Sequence, residues 1–162
     1  MSPFPCRRFE KMRVRVIWPG KTRDARLRAL IDEYLKRLSH FARSEVTELR
    51  ETPGTKAGID KDSKRISDRL PSGAATVLLD PNGIQLSSEE MAAQVRSWED
   101  SGIKEVVFIV GGPNGVSPEL SSTVTQRWSL SRLTLTHEMA RVVLLEQLYR
   151  AYTIIHGLPY QK

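Results

Sequence analysis

The segment Ile109-Val110-Gly111-Gly112-Pro113-Asn114-Gly115-Val116-Ser117-Pro118 decides the fold class of this 162-residue chain. It completes an apolar run, residues 106–110, that predicts a buried strand. A glycine-rich turn follows at once, and Ser117 and Pro118 then suit the N-cap and first position of a helix. Such a turn lets backbone approach a ligand at the carboxyl edge of a sheet, although a tight structural turn is an equal alternative. Its spacing excludes the usual dinucleotide and triphosphate motifs.

Strand-like and helix-like segments alternate along the rest of the chain. Apolar runs predict strands at residues 14–18, 46–49, 75–79 and 133–135. Apolar stripes and caps predict helices at residues 24–38, 60–70, 87–102, 117–128 and 137–155. Residues 52–58 form a flexible basic loop in this interpretation. The alternation predicts an α/β fold with a largely parallel sheet that is covered on both faces.

Length and composition exclude several classes of protein. The chain is long enough for one domain with a substantial core, which we place at residues 12–162, and we expect residues 1–11 to be a disordered extension. No apolar run reaches the roughly 18 residues that span a bilayer. The single cysteine, Cys6, can form neither an internal disulfide nor a metal cluster. We therefore expect a cytoplasmic protein with no membrane segment and no metal.

The positive charge is concentrated in the first half of the chain. The net charge is +6, and residues 1–75 hold 18 Lys and Arg against 10 Asp and Glu, whereas residues 76–162 hold 7 against 9. This imbalance indicates a surface that meets a polyanion. A solvated basic face without a partner is the alternative interpretation.

The last predicted helix, residues 137–155, is apolar on nearly all sides. In a domain of this size, such a helix is more typical of a subunit interface than of the core of one chain. We therefore expect a homodimer that is built on this helix.

Three segments that end predicted strands lie at residues 79–83, 111–115 and 130–135. The carboxyl ends of parallel strands gather at one edge of a sheet, where ligands bind. The three segments could therefore wall a pocket whose backbone groups recognise the polar edges of a flat, mostly apolar ligand. The two glycine-bearing turns contain no Lys or Arg, which argues against a polyphosphate and for an uncharged heterocycle such as adenine.

Several motifs occur together in one order along the chain. They are Leu79-Asp80, the 109–118 segment, W-S-L-S-R-L-T-L-T-H at residues 128–137, Arg141-Val142, E-Q-L-Y-R-A at residues 146–151, and Pro159-Tyr160. No single motif would be specific, but the set is specific in this order and spacing. With this set the chain resembles the SPOUT class of methyltransferases and, within it, the ribosomal RNA large-subunit methyltransferase H family. The resemblance runs from about Met12 to the C-terminus.

The resemblance implies a SPOUT α/β-knot fold, with a deep trefoil knot in the C-terminal half that holds S-adenosylmethionine. It implies methylation of N3 of a pseudouridine in 23S ribosomal RNA on the assembled ribosome. Members of this group are homodimers that share each active site across the interface. The cofactor residues carried over are Leu79, Gly111, Leu130, Ser131, Arg132, Leu133, Thr134 and Leu135.

Candidates for handling the N3 proton are His137, Tyr160 and Lys162. His137 follows the cofactor loop and has an ordinary pKa near the working pH, although it could instead only hydrogen-bond backbone at a helix start. The tail departs from the family, which usually has a histidine where this chain has Gln161, so a role that rests on that histidine does not transfer. The family also commonly has proline at the positions of Thr136 and Glu138.

The basic residues Arg23, Arg26 and Lys56 are candidates for contacts with the RNA backbone, and Arg132 could reach either a phosphate or solvent. Gln161-Lys162 in the tail also keeps open a second function, that of a ribosome-binding or assembly factor that retains the fold without catalysis. Methylation of a different nucleotide is a third interpretation.

Overall fold

The computed structural model describes residues 11–160 and shows an all-parallel, five-stranded sheet with helices on both faces. The strand order is β2-β1-β4-β3-β5. The predicted α/β fold with a parallel sheet is confirmed. In chain order the elements are β1 (Arg13–Pro19), α1 (Ala25–Leu38), β2 (Arg43–Leu49), α2 (Lys56–Ser67), β3 (Ala75–Gln85), α3 (Ser88–Asp100), β4 (Glu105–Val110), α4 (Pro118–Thr123), β5 (Gln126–Ser129) and α5 (His137–Ile155).

Apolar side chains cover both faces of the central strands, as expected of a parallel sheet between helices. One face packs against α1, α3 and α5, where Trp98 stacks on Trp128 with ring centroids 5.7 Å apart and Phe108 lies against both rings. The other face packs against α2 and α4 around Ile17, Ile66 and other aliphatic residues. Burial of these side chains from both faces fixes the sheet in the middle of the domain.

Local signals place the helix starts. The Asp24 carboxylate accepts hydrogen bonds from the backbone N–H groups of Arg26 and Leu27 at the start of α1. Ser87 and Glu90, whose spacing in the sequence predicts a capping box, form that box at the start of α3, and Ser117 caps α4. These predictions are confirmed because a cap depends on residues only two or three positions apart.

Three predicted boundaries are wrong. The helix expected at residues 117–128 ends at Thr123, because residues 126–129 pair with β3 as the edge strand β5. Residues 133–135 do not form a strand but belong to an irregular loop. The loop expected at residues 52–58 is shorter, because Thr55 caps α2 by accepting the N–H of Gly58 and the helix begins at Lys56.

Helix α5 packs between α1 and α3, and the chain itself buries most of its apolar surface. Leu144, Leu145 and Leu148 are completely buried within one copy. The expectation that this helix belongs to an interface rather than to the core of one chain is therefore wrong for its inner face. Met139 at its first turn remains exposed.

The C-terminal end of β3 contains a four-residue excursion. Leu79 and Ile84 of β3 both pair with Trp128 of β5, so residues 80–83 leave the regular register and return to it. Gly83 lies against the backbone of Arg127 and Trp128, where a Cβ atom would come within 2.7 Å of main-chain atoms. Because backbone cannot move aside as a flexible side chain can, only glycine fits this position.

We expect Gly83→Ala to lower the free energy of unfolding by about 2–3 kcal/mol through this overpacking. Thermal unfolding of the variant would show a lower midpoint. Gly111→Ala is the matched control, because a Cβ there meets its neighbours at ordinary contact distances from 3.4 Å. Equal midpoints for the two variants would contradict the close approach of Gly83 to β5.

Candidate functional site

A cavity of about 340 Å³ lies at the carboxyl edge of the sheet, where β3, β4 and β5 end. Segments 79–81, 110–115 and 128–135 form its walls, and the start of α5 closes one side. The predicted convergence of three loops at this edge is therefore what the structure shows. All eight residues proposed for the cofactor, and His137, line the cavity: Leu79, Gly111, Leu130, Ser131, Arg132, Leu133, Thr134, Leu135 and His137.

Three further residues line the cavity, although the sequence analysis gave them no role in ligand binding. Trp128 forms a buried wall from β5, Val110 ends β4, and Ala140 faces the cavity from the first turn of α5. The small side chain of Ala140 leaves room where α5 approaches the cavity. A helical spacing of three residues after His137 could have indicated it.

The loop at residues 130–135 is held by short-range hydrogen bonds of its own. The Ser129 hydroxyl donates to the Ser131 carbonyl at 3.0 Å, and the Ser131 hydroxyl accepts the Leu133 N–H at 2.9 Å. These bonds fix the loop, while Leu133 at its tip leaves 76% of its surface exposed. The loop can present backbone groups to a ligand inside the cavity. Its apolar tip, Leu133, can contact a molecule that binds at the cavity opening.

The walls of the cavity are mainly apolar, with glycine backbone on one side and Leu79 and Leu135 among the side chains. Arg132 is exposed, and Asp80 lies 3.9 Å from Arg127 in a loose ion pair. Such a pocket suits a flat ring with polar edges better than it suits a polyphosphate, which needs concentrated positive charge.

His137 is the first residue of α5 and is half-buried at the cavity wall, directly after the N-cap Thr136. Burial lowers the pKa of its imidazole below 6.5, and the nearby Arg141 guanidinium lowers that pKa further. The imidazole is therefore neutral at neutral pH and able to accept a proton.

Arg141 is completely buried beneath the start of α5. Its guanidinium donates to the Pro19 carbonyl at 2.8 Å and to the Thr22 hydroxyl at 2.9 Å, and it lies over the Trp18 ring at 4.7 Å. Sequence reasoning gave this residue no role. The signal was present, because an arginine among apolar residues of a helix needs buried hydrogen-bond partners.

Glu138 ties the same helix start to the loop between β1 and α1. Its carboxylate accepts the backbone N–H groups of Arg23 at 2.6 Å and Asp24 at 3.3 Å. The bond from Arg23 is the main reason that the pKa of Glu138 lies below its ordinary value. Glu138 and Arg141 therefore anchor the helix that carries His137.

Tyr160 does not line the cavity. Its hydroxyl donates to Glu146 at 3.2 Å, and its ring packs edge-on against Tyr149 and beneath the Arg150 guanidinium. Arg150 also pairs with Glu146 at 2.6 Å. Sequence reasoning missed this polar cluster, which charges four residues apart on an apolar helix could have indicated.

Within one chain, the polar cluster around Glu146 and Tyr160 lies far along α5 from His137. Nine residues of helix separate His137 from Glu146, about 14 Å at 1.5 Å per residue. The structure therefore does not bring His137 and Tyr160 to one site in a single copy. The third candidate, Lys162, and the neighbouring Gln161 lie outside the described residues.

Basic side chains surround the same edge of the sheet. They come from the loops after β1, β2 and β5 and from the start of α2. Within residues 11–160, none of five exposed cations there is in a salt bridge, whereas Arg26 is paired with Asp24 at 3.0 Å. The five are Lys21, Arg23, Arg50, Lys56 and Arg132.

Two features are absent from the described part of the chain. No helix there is both long and apolar enough to cross a membrane. In that same part of the chain, no group of three or more His, Cys, Asp or Glu side chains is placed to hold a metal ion.

Comparison with known proteins gives one consistent family. The family model described as "Predicted SPOUT methyltransferase" matches residues 12–161. The chain is 42% identical to "Ribosomal RNA large subunit methyltransferase H" of Geotalea daltonii over 151 residues, 92% of this chain and 99% of that protein. It is 39% identical to the protein of that name from Desulfotalea psychrophila over 153 residues, 93% of this chain and 100% of the relative. The match therefore covers whole proteins rather than a shared fragment.

We expect Arg141→Met to lower the free energy of unfolding by about 2–3 kcal/mol. The thioether cannot replace the hydrogen bonds to Pro19 and Thr22, so buried polar atoms lose their partners. Urea unfolding would measure the loss. Arg96→Met is the control, because its ion pair with Asp100 is long and exposed and is worth less than about 0.5 kcal/mol. Similar losses in both variants would contradict the anchoring role of Arg141.

Proposed function

This chain belongs to the SPOUT methyltransferase family, and on that premise we propose that it methylates large-subunit ribosomal RNA with S-adenosylmethionine. The target is N3 of a pseudouridine in 23S RNA within the assembled ribosome, so the enzyme acts in the cytoplasm. The family match and the names of the relatives support this function. A knotted C-terminal half, which the family implies, is part of the same proposal.

The observation that carries the proposal is the cavity formed by the ends of β3, β4 and β5. Its volume and apolar walls fit an adenine ring, and the glycine backbone at residues 111–112 can approach that ring closely. When bound, S-adenosylmethionine supplies a methyl group on a positively charged sulfonium. Leu79, Gly111 and the 130–135 loop would hold it.

The remaining chemistry is positioning and the removal of one proton. The imide N3–H must be lost as the methyl group arrives, because N3 would otherwise carry a positive charge. His137 lines the cavity as a neutral imidazole and can take this proton. The chain's other contribution is to hold N3 in line with the methyl group at close range.

We propose that the working enzyme is a homodimer. Leu30 and Met139 leave 43% and 40% of their surfaces exposed on α1 and α5, and a second copy would cover them. In one chain Tyr160 lies away from the cavity. In a dimer, the tail of one copy, with Tyr160 and Lys162, can complete the site of the other.

The five exposed cations at the carboxyl edge support contact with RNA. They lie at the edge of the sheet where the cavity opens, Arg132 lines the cavity itself, and none has a salt-bridge partner in the described part of the chain. Contacts of this kind go to phosphates and give affinity and salt dependence rather than base choice. The basic first half of the sequence thus faces the substrate at the same edge as the cofactor.

Methyl transfer from labelled S-adenosylmethionine to intact ribosomes, followed by mass mapping of the RNA, tests the function. We expect one new methyl group at one pseudouridine of the large subunit. Tight binding to ribosomes without transfer would instead support the assembly-factor function. A methyl group mapped to a different nucleotide would overturn the assigned target.

Gly112→Val should weaken S-adenosylmethionine binding at least about tenfold by calorimetry. A Cβ at this position already lies 3.3 Å from the Pro19 side chain, so the larger valine displaces the turn that forms one wall of the cavity. Ala93→Val places a valine on the exposed side of α3 and is the control. Unfolding curves of both variants show that each is folded. Unchanged affinity in folded Gly112→Val would remove the cofactor from this cavity.

The rate should fall as the pH drops through the pKa of His137, which lies below 6.5. A protonated imidazole cannot accept the N3 proton, so the loss appears on the acid side. We expect His137→Gln to lower kcat about 10²–10⁴-fold and to remove this acid limb. A pH–rate profile of the variant that retains the limb would assign the proton to another group.

A further inference from the structure

A second cavity, of about 300 Å³, adjoins the first and belongs to none of the sites described above. The two share Trp128, Ser129 and Leu130, so they meet at the end of β5. Residues from the start of α3 and the outer side of α5 complete it: Leu86, Ser87, Ser88, Met91, Val143 and Gln147. Its volume is at the lower end for sites that bind small molecules.

Hydrogen bonds orient one amide in this cavity. The Ser88 hydroxyl donates to the Gln147 carbonyl oxygen at 2.6 Å, and the Gln147 NH₂ donates to Glu146 at 2.6 Å. The side-chain carbonyl of Gln147 is thereby fixed towards α3 and its NH₂ towards the preceding residue of α5, Glu146. Glu146 is held in turn by Arg150 at 2.6 Å.

The oriented amide retains capacity for a ligand. A primary amide has two donor hydrogens and two acceptor lone pairs. Ser88 uses one lone pair and Glu146 uses one hydrogen. Gln147 can therefore still offer one donor and one acceptor, side by side and with fixed direction.

We propose that this second cavity binds the target base and that Gln147 distinguishes pseudouridine from uridine. This inference rests on the proposed function. During methylation N3 must face the first cavity, which leaves the N1–C2 edge of the ring for recognition. In pseudouridine that edge presents N1–H as a donor beside the C2 carbonyl as an acceptor. Uridine lacks this donor because its N1 carries the ribose.

The groups on the N1–C2 edge of pseudouridine match those of the Gln147 amide. The Gln147 carbonyl accepts N1–H, and its NH₂ donates to the C2 oxygen. Bound uridine would leave the carbonyl without its partner and place the ribose against it. A site that is built to hydrogen-bond a group rejects the analogue that lacks it more strongly than an apolar pocket does. Gln147 is therefore a specificity-determining residue rather than a catalytic one.

The test compares ribosomes that carry pseudouridine or uridine at the target position, the latter from cells without the corresponding pseudouridine synthase. The readout is the ratio of kcat/KM for the two particles. We expect Gln147→Leu to lower this ratio about 10- to 100-fold, as for the loss of a bidentate contact to a base. Gln94→Leu makes the same change on α3 outside the cavity and should leave the ratio unchanged. S-adenosylmethionine affinity should stay at the wild-type value in both.

A second variant tests the cavity itself. Val143→Phe fills it from α5, and we expect transfer to pseudouridine ribosomes to fall at least about tenfold while S-adenosylmethionine affinity is retained. Wild-type transfer by Val143→Phe would overturn the cavity as the base site. An unchanged ratio in Gln147→Leu, an equal loss on both particles, or weakened cofactor binding would overturn the role of Gln147.

These results distinguish a failure of the proposed function from a failure of the inference about the second cavity. If the wild-type enzyme transfers methyl groups to neither particle, the proposed function fails and the inference fails with it. If wild-type transfer is normal and only the variants behave unexpectedly, the inference alone is wrong.

Discussion

The close approach of Gly83 to the backbone of β5 is the contact on which the pocket depends. Both ends of the 80–83 excursion pair with Trp128, so a four-residue segment closes on a single residue of the edge strand. A Cβ at Gly83 would meet main-chain atoms at 2.7 Å. This contact holds the end of β3 against β5, and the loop that continues from β5 is thereby placed opposite the glycine turn of β4. The cavity is the space that remains between them.

The start of α5 is fixed from the opposite side of the cavity. Arg141 and Glu138 both bind the segment between β1 and α1, the first through its guanidinium and the second through its carboxylate. That segment also carries the exposed cations Lys21 and Arg23. A displacement of this loop by a bound polyanion would therefore act directly on the helix turn that carries His137. The basic surface and His137, the proposed proton acceptor, are thus connected through the buried hydrogen bonds of Arg141 and the more exposed ones of Glu138.

Much of this arrangement could be predicted from sequence because it depends on local signals. The sequence indicated the starts of three helices, α1, α3 and α4, at Asp24, Ser87 and Ser117. Its apolar runs predicted four of the five strands. The fifth strand was missed because it has only four residues and exists through pairing with β3, about 45 residues earlier in the chain. Its sequence continues a helical pattern, and tertiary pairing overrides such a local preference.

The distinction between local sequence signals and contacts between distant residues also applies to the site. The resemblance to a family selected nine residues that line one cavity, because that cavity is formed by strand ends whose motifs are contiguous in sequence. Arg141 and Gln147 match the family but were given no role, because their importance comes from partners far away in the chain: Thr22 for the first and Ser88 for the second. No spacing rule relates positions separated by 119 or 59 residues.

The two cavities present different groups to their ligands: the first mainly glycine backbone and apolar side chains, the second an oriented side-chain amide. The first is lined by glycine backbone and apolar groups, which suit a ligand common to many enzymes and carry little selectivity among substrates. The second holds an amide that two hydrogen bonds have already oriented, so little rotamer entropy is lost when it meets a base. Because Leu130 belongs to both walls, a ligand that settles the 130–135 loop in the first cavity also shapes the second. The shared residues therefore favour binding of the proposed cofactor before the proposed target base.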